Sequence, residues 1–447
     1  MPVPVPVPVP DPEEEGRPEP QKELYKNGND ESIFVPKTWP RGPNGSMKPS
    51  IALSLLVLGC QVAPPTNQLS RSSALHAVHE WGTFTSVMGS DGKTVAGLQH
   101  TEELLPSFVH LRDASVPGQK GAGSLVVPVH QKLETPVLYF YGEGHQQVSV
   151  DVSFPKGVIS EWYPEASSFA PALGVPLTLE HGKMSWQVEL LDESANAPLV
   201  PEHSVWAPSR RVAANGLREL GHSSTAGTVA EEEGFIFYRG LGCFDVPVSV
   251  TSKGEELTFS NDSAVDLHGV LVLLGGGQRG GFVSLGTIEA GGMRSVGREQ
   301  IPLDAAEIYV RDAKATLAQS LEASGLFADE ARAMVDTWTD SYFVTSGLRV
   351  LYVVPRAWTD EILPIDLDPR PADLVRTLVG RIEVMTEVEE RDVVRDLEEA
   401  KAANAWIRPD AYGRFTEPKL RRAAALIGDP ALQQFTELMI TQAALSP

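Results

Sequence analysis

Between His79 and about Val310 the apolar positions recur in short runs of period two. Val148-Ser149-Val150-Asp151-Val152-Ser153-Phe154 alternates strictly, as a strand with one buried face must. Runs at 136–141, 158–163, 185–191, 235–238, 257–260 and 270–274 repeat the theme, separated by turn clusters such as Pro155-Lys156-Gly157 and Asn261-Asp262. No helical stripe of roughly ten residues interrupts them, which disfavours β-α-β winding. The pattern predicts a β-rich, antiparallel sandwich-like body over residues 78–310.

The remainder, 311–447, changes period. Residues 313–323 and 329–338 read as helices split by Ser324-Gly325, and a buried strand follows over 348–354, stopped by Pro355. Thr386-Glu387-Val388-Glu389 is a capping-box signature that opens an acidic helix reaching about Asn404. Thr416-Glu417-Pro418 starts another helix with Gly428 just past its end, and Asp429-Pro430 starts the last. This predicts a smaller α/β piece and a helical C-terminal region.

The start of the chain reads differently. Pro and Val alternate from Pro2 to Pro10 and lead into an acidic, Pro-rich run, so residues 1–46 are expected to lack a core and stay extended. At Met47 a short positive end gives way to the apolar run Ile51–Leu58 and then Gly59-Cys60. A positive end, an apolar core and a small residue before the cut describe a secretory signal over 47–59. Ending in Cys, it resembles a bacterial lipoprotein signal, which implies lipidation of Cys60. A buried strand that ends in Gly-Cys is the plainer alternative. Residues 60–77, whose Val62–Ser73 stretch holds two Pro, several Ser and single Ala, Thr and Asn residues, read as a flexible tether. On this reading Met47 is the true start and 1–46 is a mis-assigned leader. Gln61 after the Cys hints, by resemblance, at outer-membrane sorting.

Charge adds to this picture. The chain carries 37 Lys+Arg against 59 Asp+Glu, a formal −22, and the stretch before Cys60 holds little of it. An acidic chain with no basic run repels phosphate backbones, so no nucleic-acid partner is expected. No apolar stretch reaches the roughly 20 residues of a membrane-spanning helix, so the expected membrane partner is reached through the lipid anchor. Two cysteines cannot build a disulfide framework or a Cys-rich zinc site.

Candidate chemistry centres on ten histidines, all between His76 and His268. His is the commonest metal ligand and general base, so such clustering invites a site. The leading candidates are His79 and Glu80, with His145 next; His100, His110, His181, His203 and His222 stand behind them. The spacings fit no known ligand pattern: His79-Glu80-Trp81-Gly82-Thr83 lacks the second His a zinc-protease helix needs. No cofactor is predicted, and a divalent metal enters only under an alternative, a metal-dependent hydrolase with a His-built site in the β body. Gly89–Thr94 fails as a phosphate loop because Val87 stands where a Gly is needed, and reads as a tight turn. Gly275–Gly281 fails as a dinucleotide fingerprint because a strand, not a helix, follows it, and reads as a glycine-rich hairpin. Gly221-His222-Ser223-Ser224-Thr225 lacks the second Gly of a nucleophile elbow. Cys243 reads as a small buried residue, Trp81, Trp162, Trp186 and Trp206 as core, and Asp366, Asp368 and Asp373 as a solvated turn.

Several phrases together resemble one group of exported bacterial proteins of uncharacterised function. They are His79-Glu80-Trp81-Gly82-Thr83-Phe84-Thr85, Glu134-Thr135-Pro136-Val137-Leu138-Tyr139-Phe140-Tyr141, Glu161-Trp162-Tyr163-Pro164, Phe237-Tyr238-Arg239-Gly240, Leu351-Tyr352-Val353-Val354-Pro355-Arg356 and Val379-Gly380-Arg381. The resemblance spans about 79–415 and implies export and one shared architecture, with no activity or catalytic residue attached. The expectation is therefore a lipid-anchored cell-envelope protein that binds an envelope or extracellular ligand.

Overall fold

The computed structural model describes residues 75–98, 105–112, 129–172, 178–220 and 230–445. Cys60, the leader, the signal and nearly all of the tether lie outside them, as do His100, His222 and the failed elbow. In chain order the strands are β1 (Leu75–Met88), β2 (His110–Leu111), β3 (Gln131–Gly142), β4 (Gln147–Phe154), β5 (Gly157–Tyr163), β6 (Ser168–Ala170), β7 (Gly182–Leu191), β8 (Gly216–Glu219), β9 (Glu232–Glu233) and β10 (Ile236–Gly242). They continue with β11 (Val248–Lys253), β12 (Glu256–Asn261), β13 (Leu267–Gly275), β14 (Arg279–Ile288), β15 (Met293–Gly297), β16 (Leu303–Ala305), β17 (Gly347–Val353), β18 (Ile365–Asp368), β19 (Asp373–Val384) and β20 (Ala411–Arg414). The helices are α1 (Ala306–Ala323), α2 (Ala328–Thr337), α3 (Arg356–Ile362), α4 (Glu387–Ala402), α5 (Thr416–Ile427) and α6 (Pro430–Leu445).

Among the described residues, ten strands make one sheet in the order β16-β14-β13-β17-β19-β1-β3-β10-β5-β2. β1 sits inside it, antiparallel to β3 and parallel to β19 from Ala77↔Asp373 to Met88↔Val384. The expected β-rich, largely antiparallel body is present, but its sheet is mixed. The C-terminal strands β17 and β19 lie between β13 and β1, so residues 78–310 and 311–447 share this sheet. The switch to helical period after residue 310 marks a covering layer, because helices buried on one stripe must cover a sheet face.

Both faces of the sheet are covered, which explains why β1 is buried along almost its whole length. On one face Val78, Phe84 and Met88 join a core with the smaller sheets β11-β12-β15 and β18-β4-β7-β8-β9, the sandwich half of the fold. There β4 alternates exposed and buried residues as its sequence predicts. On the other face Trp81 packs with α1 and α2 residues such as Leu317 and Met334. Val87 packs with residues of α4 to α6 such as Leu397, Leu420 and Leu432. The local signals hold: Thr386 caps α4 by accepting from Glu389 N at 3.2 Å, and Gly428 ends α5 at φ 71°. Gly89–Thr94 is a tight turn closed by the Met88↔Thr94 bridge, and Gly275–Gly281 links β13 to β14 as a hairpin. The four tryptophans Trp81, Trp162, Trp186 and Trp206 are all buried.

Candidate functional site

Successive side chains on a strand point to opposite faces, and β1 divides its polar residues accordingly. His79 faces the helical layer: its Nδ1 lies 2.8 Å from Glu330 Oε2 of α2. Glu330 also accepts from the Tyr141 hydroxyl at 2.7 Å and from Phe327 N at 2.7 Å, so one buried carboxylate caps α2 and fastens it to β1. Glu80 faces the small sheets: it takes a 2.5 Å bond from Arg376 Nε and a hydrogen bond from the Tyr238 hydroxyl. Arg376 reaches Asp360 of α3 with its other arm at 2.9 Å. His79 and Glu80 are 1% and 0% exposed, so neither is open to solvent.

The rest of the phrase serves the same end. Thr83 bonds the Tyr342 hydroxyl, and Thr85 donates to Glu134 at 2.5 Å. Phe84 meets Phe244 edge-on at 5.4 Å between centroids. Gly82 lies against the Pro136 backbone, where a Cβ would come within 3.0 Å of its Cα. Around Thr85, Glu134 pairs with Arg414, while Arg381 and Arg349 both bond Glu383. Burial opposes ionisation of Glu383, yet the two guanidiniums hold its carboxyl below the usual range. His79-Glu80-Trp81-Gly82-Thr83-Phe84-Thr85 is thus a fastening strand between layers.

His145, the third metal candidate, sits elsewhere, in the turn after β3 at φ 60°; its ring is 72% exposed and lies near Glu189 and Asp192. The three candidates do not meet: two point to opposite faces of a buried strand and the third is on the surface. Among the described residues no three His, Cys, Asp or Glu side chains are placed to hold a metal ion. Cys243 is half-buried, and burial with Asp245 nearby pushes its thiol pKa up.

His110, on the edge strand β2, has its Nδ1 3.0 Å from Glu165 and its Nε2 3.0 Å from Glu231. Burial alone would lower its pKa, but hydrogen bonds and charge from the two carboxylates push it up to about 9. With both ring nitrogens occupied, it is a cationic clasp between chain segments.

An open site lies on the helical side. Where α2 ends, Thr339–Val344 forms a π-helical turn, with Thr345 N bonded to Asp340 O at 2.8 Å. Such turns are rare and occur often at functional sites. Beside it is a cleft of about 340 Å³ lined by Glu202, His203, Ser204, Arg211, Asp336, Thr337, Thr339 and Asp340 with Val205 and Pro208. Lys314 Nζ bonds Asp336 at 2.6 Å and Arg211 lies 3.7 Å from it, so that carboxylate is neutralised within the protein. Among the described residues Glu202 and Asp340 form no ion pair, which leaves two open acceptors beside His203 and the Arg211 guanidinium. Thr337 is 7% exposed and its hydroxyl has no hydrogen-bond partner. Of the residues lining this cleft, only His203 stands out in the sequence. The acidic members, Glu202 against Asp336 and Asp340, come from distant segments with no spacing signal to join them.

No protein-family model matches the chain. No curated protein matches it either. Among solved structures it is similar to the yeast delta-COP-I mu-homology domain in complex with a Dsl1 WxWxV peptide, at 8% identity and a TM-score of 0.23, covering 69% of this chain and 95% of that one. The same yeast domain without the peptide gives 7% identity, a TM-score of 0.23 and the same coverage. Superposition at that level assigns this chain neither a fold family nor a partner.

Proposed function

We propose that this chain is a cell-envelope binding protein, anchored through a lipid on Cys60, whose body takes up a small cationic, hydroxyl-bearing solute in the cleft beside the π-turn. The observation that carries the binding reading is that cleft: it is open, and its two unpaired carboxylates lie beside hydroxyls and an arginine. An ammonium group answers Glu202 and Asp340, while ligand hydroxyls answer Ser204, His203 and Arg211. The buried ionisable groups of β1 offer no competing site, because each is spent on holding layers together. The anchoring half rests on the signal-like stretch that ends at Cys60. From there to Leu75 a fully extended chain spans at most about 50 Å, enough to hold the body clear of a membrane surface.

Isothermal titration of the full chain with glucosamine tests the binding half, with glucose as the uncharged control. Glucosamine is expected to bind and glucose to bind weakly or not at all. Asp340→Asn is expected to weaken glucosamine binding by about tenfold, the effect of losing one charge-assisted hydrogen bond. Equal behaviour of the two sugars, or an indifferent Asp340→Asn variant, would contradict the reading.

A further inference from the structure

A second cleft, of about 180 Å³, opens on the sandwich side. Three segments wall it: Pro155 and Lys156 in the β4–β5 turn, Phe244 to Pro247 after β10, and Trp358, Glu361 and Ile362 on α3. Phe244 is held in place by rings on two sides, Phe84 at 5.4 Å and Phe154 at 6.1 Å between centroids. The β4–β5 turn is tied down by Cys243 N bonding Lys156 O at 2.9 Å. The wall is therefore preformed and needs no folding step to receive a ligand.

The interior of this cleft is apolar, from Phe244, Val246, Trp358 and Ile362, and its rim carries three exposed charges, Lys156, Asp245 and Glu361. Of these, Asp245 alone has a described partner, the His130 ring nitrogen at 3.9 Å, and its side chain is 82% exposed. An engineered apolar cavity of about 150 Å³ holds one benzene ring, so the space here fits one aromatic side chain. A ring alone would leave the rim charges unanswered. One cation and two anions around an apolar hole complement a ligand that carries both signs next to its ring.

We propose that this cleft binds a free aromatic α-amino acid. The ring lies against Trp358 and Phe244, the ammonium faces Asp245 and Glu361, and the carboxylate faces Lys156. This site is separate from the π-turn cleft, and either can exist without the other.

The test uses phenylalanine on the full chain, with phenethylamine and 3-phenylpropionate as ligands lacking one charge each, read by saturation-transfer NMR and by tryptophan fluorescence. Phenylalanine is expected to bind with a Kd on the order of 1 mM, modest for so small a ligand. Lys156→Met is expected to weaken phenylalanine by about tenfold and leave phenethylamine unchanged. Glu361→Gln is expected to weaken phenylalanine and phenethylamine and spare 3-phenylpropionate. Both substitutions are at exposed side chains, so folding is not at risk. No binding of phenylalanine, or the same affinity for all three ligands in every variant, would overturn the proposal. Glucosamine is expected not to compete, so a failure here is distinguishable from a failure at the π-turn cleft.

Discussion

His79 and Glu80 are chain neighbours whose partners lie in different layers: His79 Nδ1 is 2.8 Å from Glu330 in the helical layer, and Glu80 Oε2 is 2.5 Å from Arg376 on the sandwich side. A two-residue acid–base motif read from the sequence is thus a double fastening, with the sheet between its halves. The alternation of a strand makes this unavoidable, and it removes the geometry a His-Glu metal or hydrolytic centre would need.

Truncating one side of the Glu80–Arg376 pair leaves a buried charge without its partner. Glu80→Ala is expected to destabilise the protein by about 3–5 kcal/mol, read as a lower urea midpoint. The double variant Glu80→Met, Arg376→Met is expected to recover much of that loss, because a buried pair often exchanges for apolar side chains at little cost. A double variant as unstable as the sum of the two singles would show that the charges themselves are needed.

His110 gives a pH dependence of known sign. Its folded pKa, about 9, lies above the ordinary value of 6.5, so its stabilising contribution is complete below that ordinary value and is lost as pH rises through about 9. The stability difference between the native chain and His110→Gln is therefore expected to be constant in mildly acidic solution and to shrink between roughly pH 6.5 and 9. Unfolding curves at a series of pH values check this, and a difference that grows with pH would refute the clasp.

The cap of α4 is a local matter. Thr386→Ala removes the acceptor for Glu389 N and is expected to cost about 1 kcal/mol, while Thr386→Ser is expected to cost much less. Thermal unfolding of the two variants compares them directly.

Anchoring through Cys60 is checked by mass spectrometry of protein taken from native membranes. The expected N-terminal peptide begins at Cys60 and carries acyl chains. A free thiol at Cys60 still joined to the Val-Pro tract would remove the envelope assignment.

Much of the fold was legible because its signals are local. The alternation in 148–154, the Thr386 cap and the Gly428 stop each depend on neighbours within a turn or two, and each element stands where the sequence puts it. The mixed pairing was not legible: β1 and β19 lie about 300 residues apart, and both are buried on two faces, which blurs the alternation a reader relies on. The helices α1 and α2 were visible, yet their role as a cover for β1 shows only once Glu330 is seen against His79. The site residues were least legible. Among the described residues His79 and His145, grouped as candidates by the sequence, stand apart in space, whereas Glu202 and Asp340 are brought to one cleft by folding alone.

A small cationic sugar is expected to touch the chain at the π-turn cleft and nowhere else. Hydrogen–deuterium exchange of the full protein with and without glucosamine measures this segment by segment. Added protection confined to 202–211 and 336–345 is the expected result. No change there, or protection gathered instead around His79, Glu80 and His145, would contradict the assignment of the binding site.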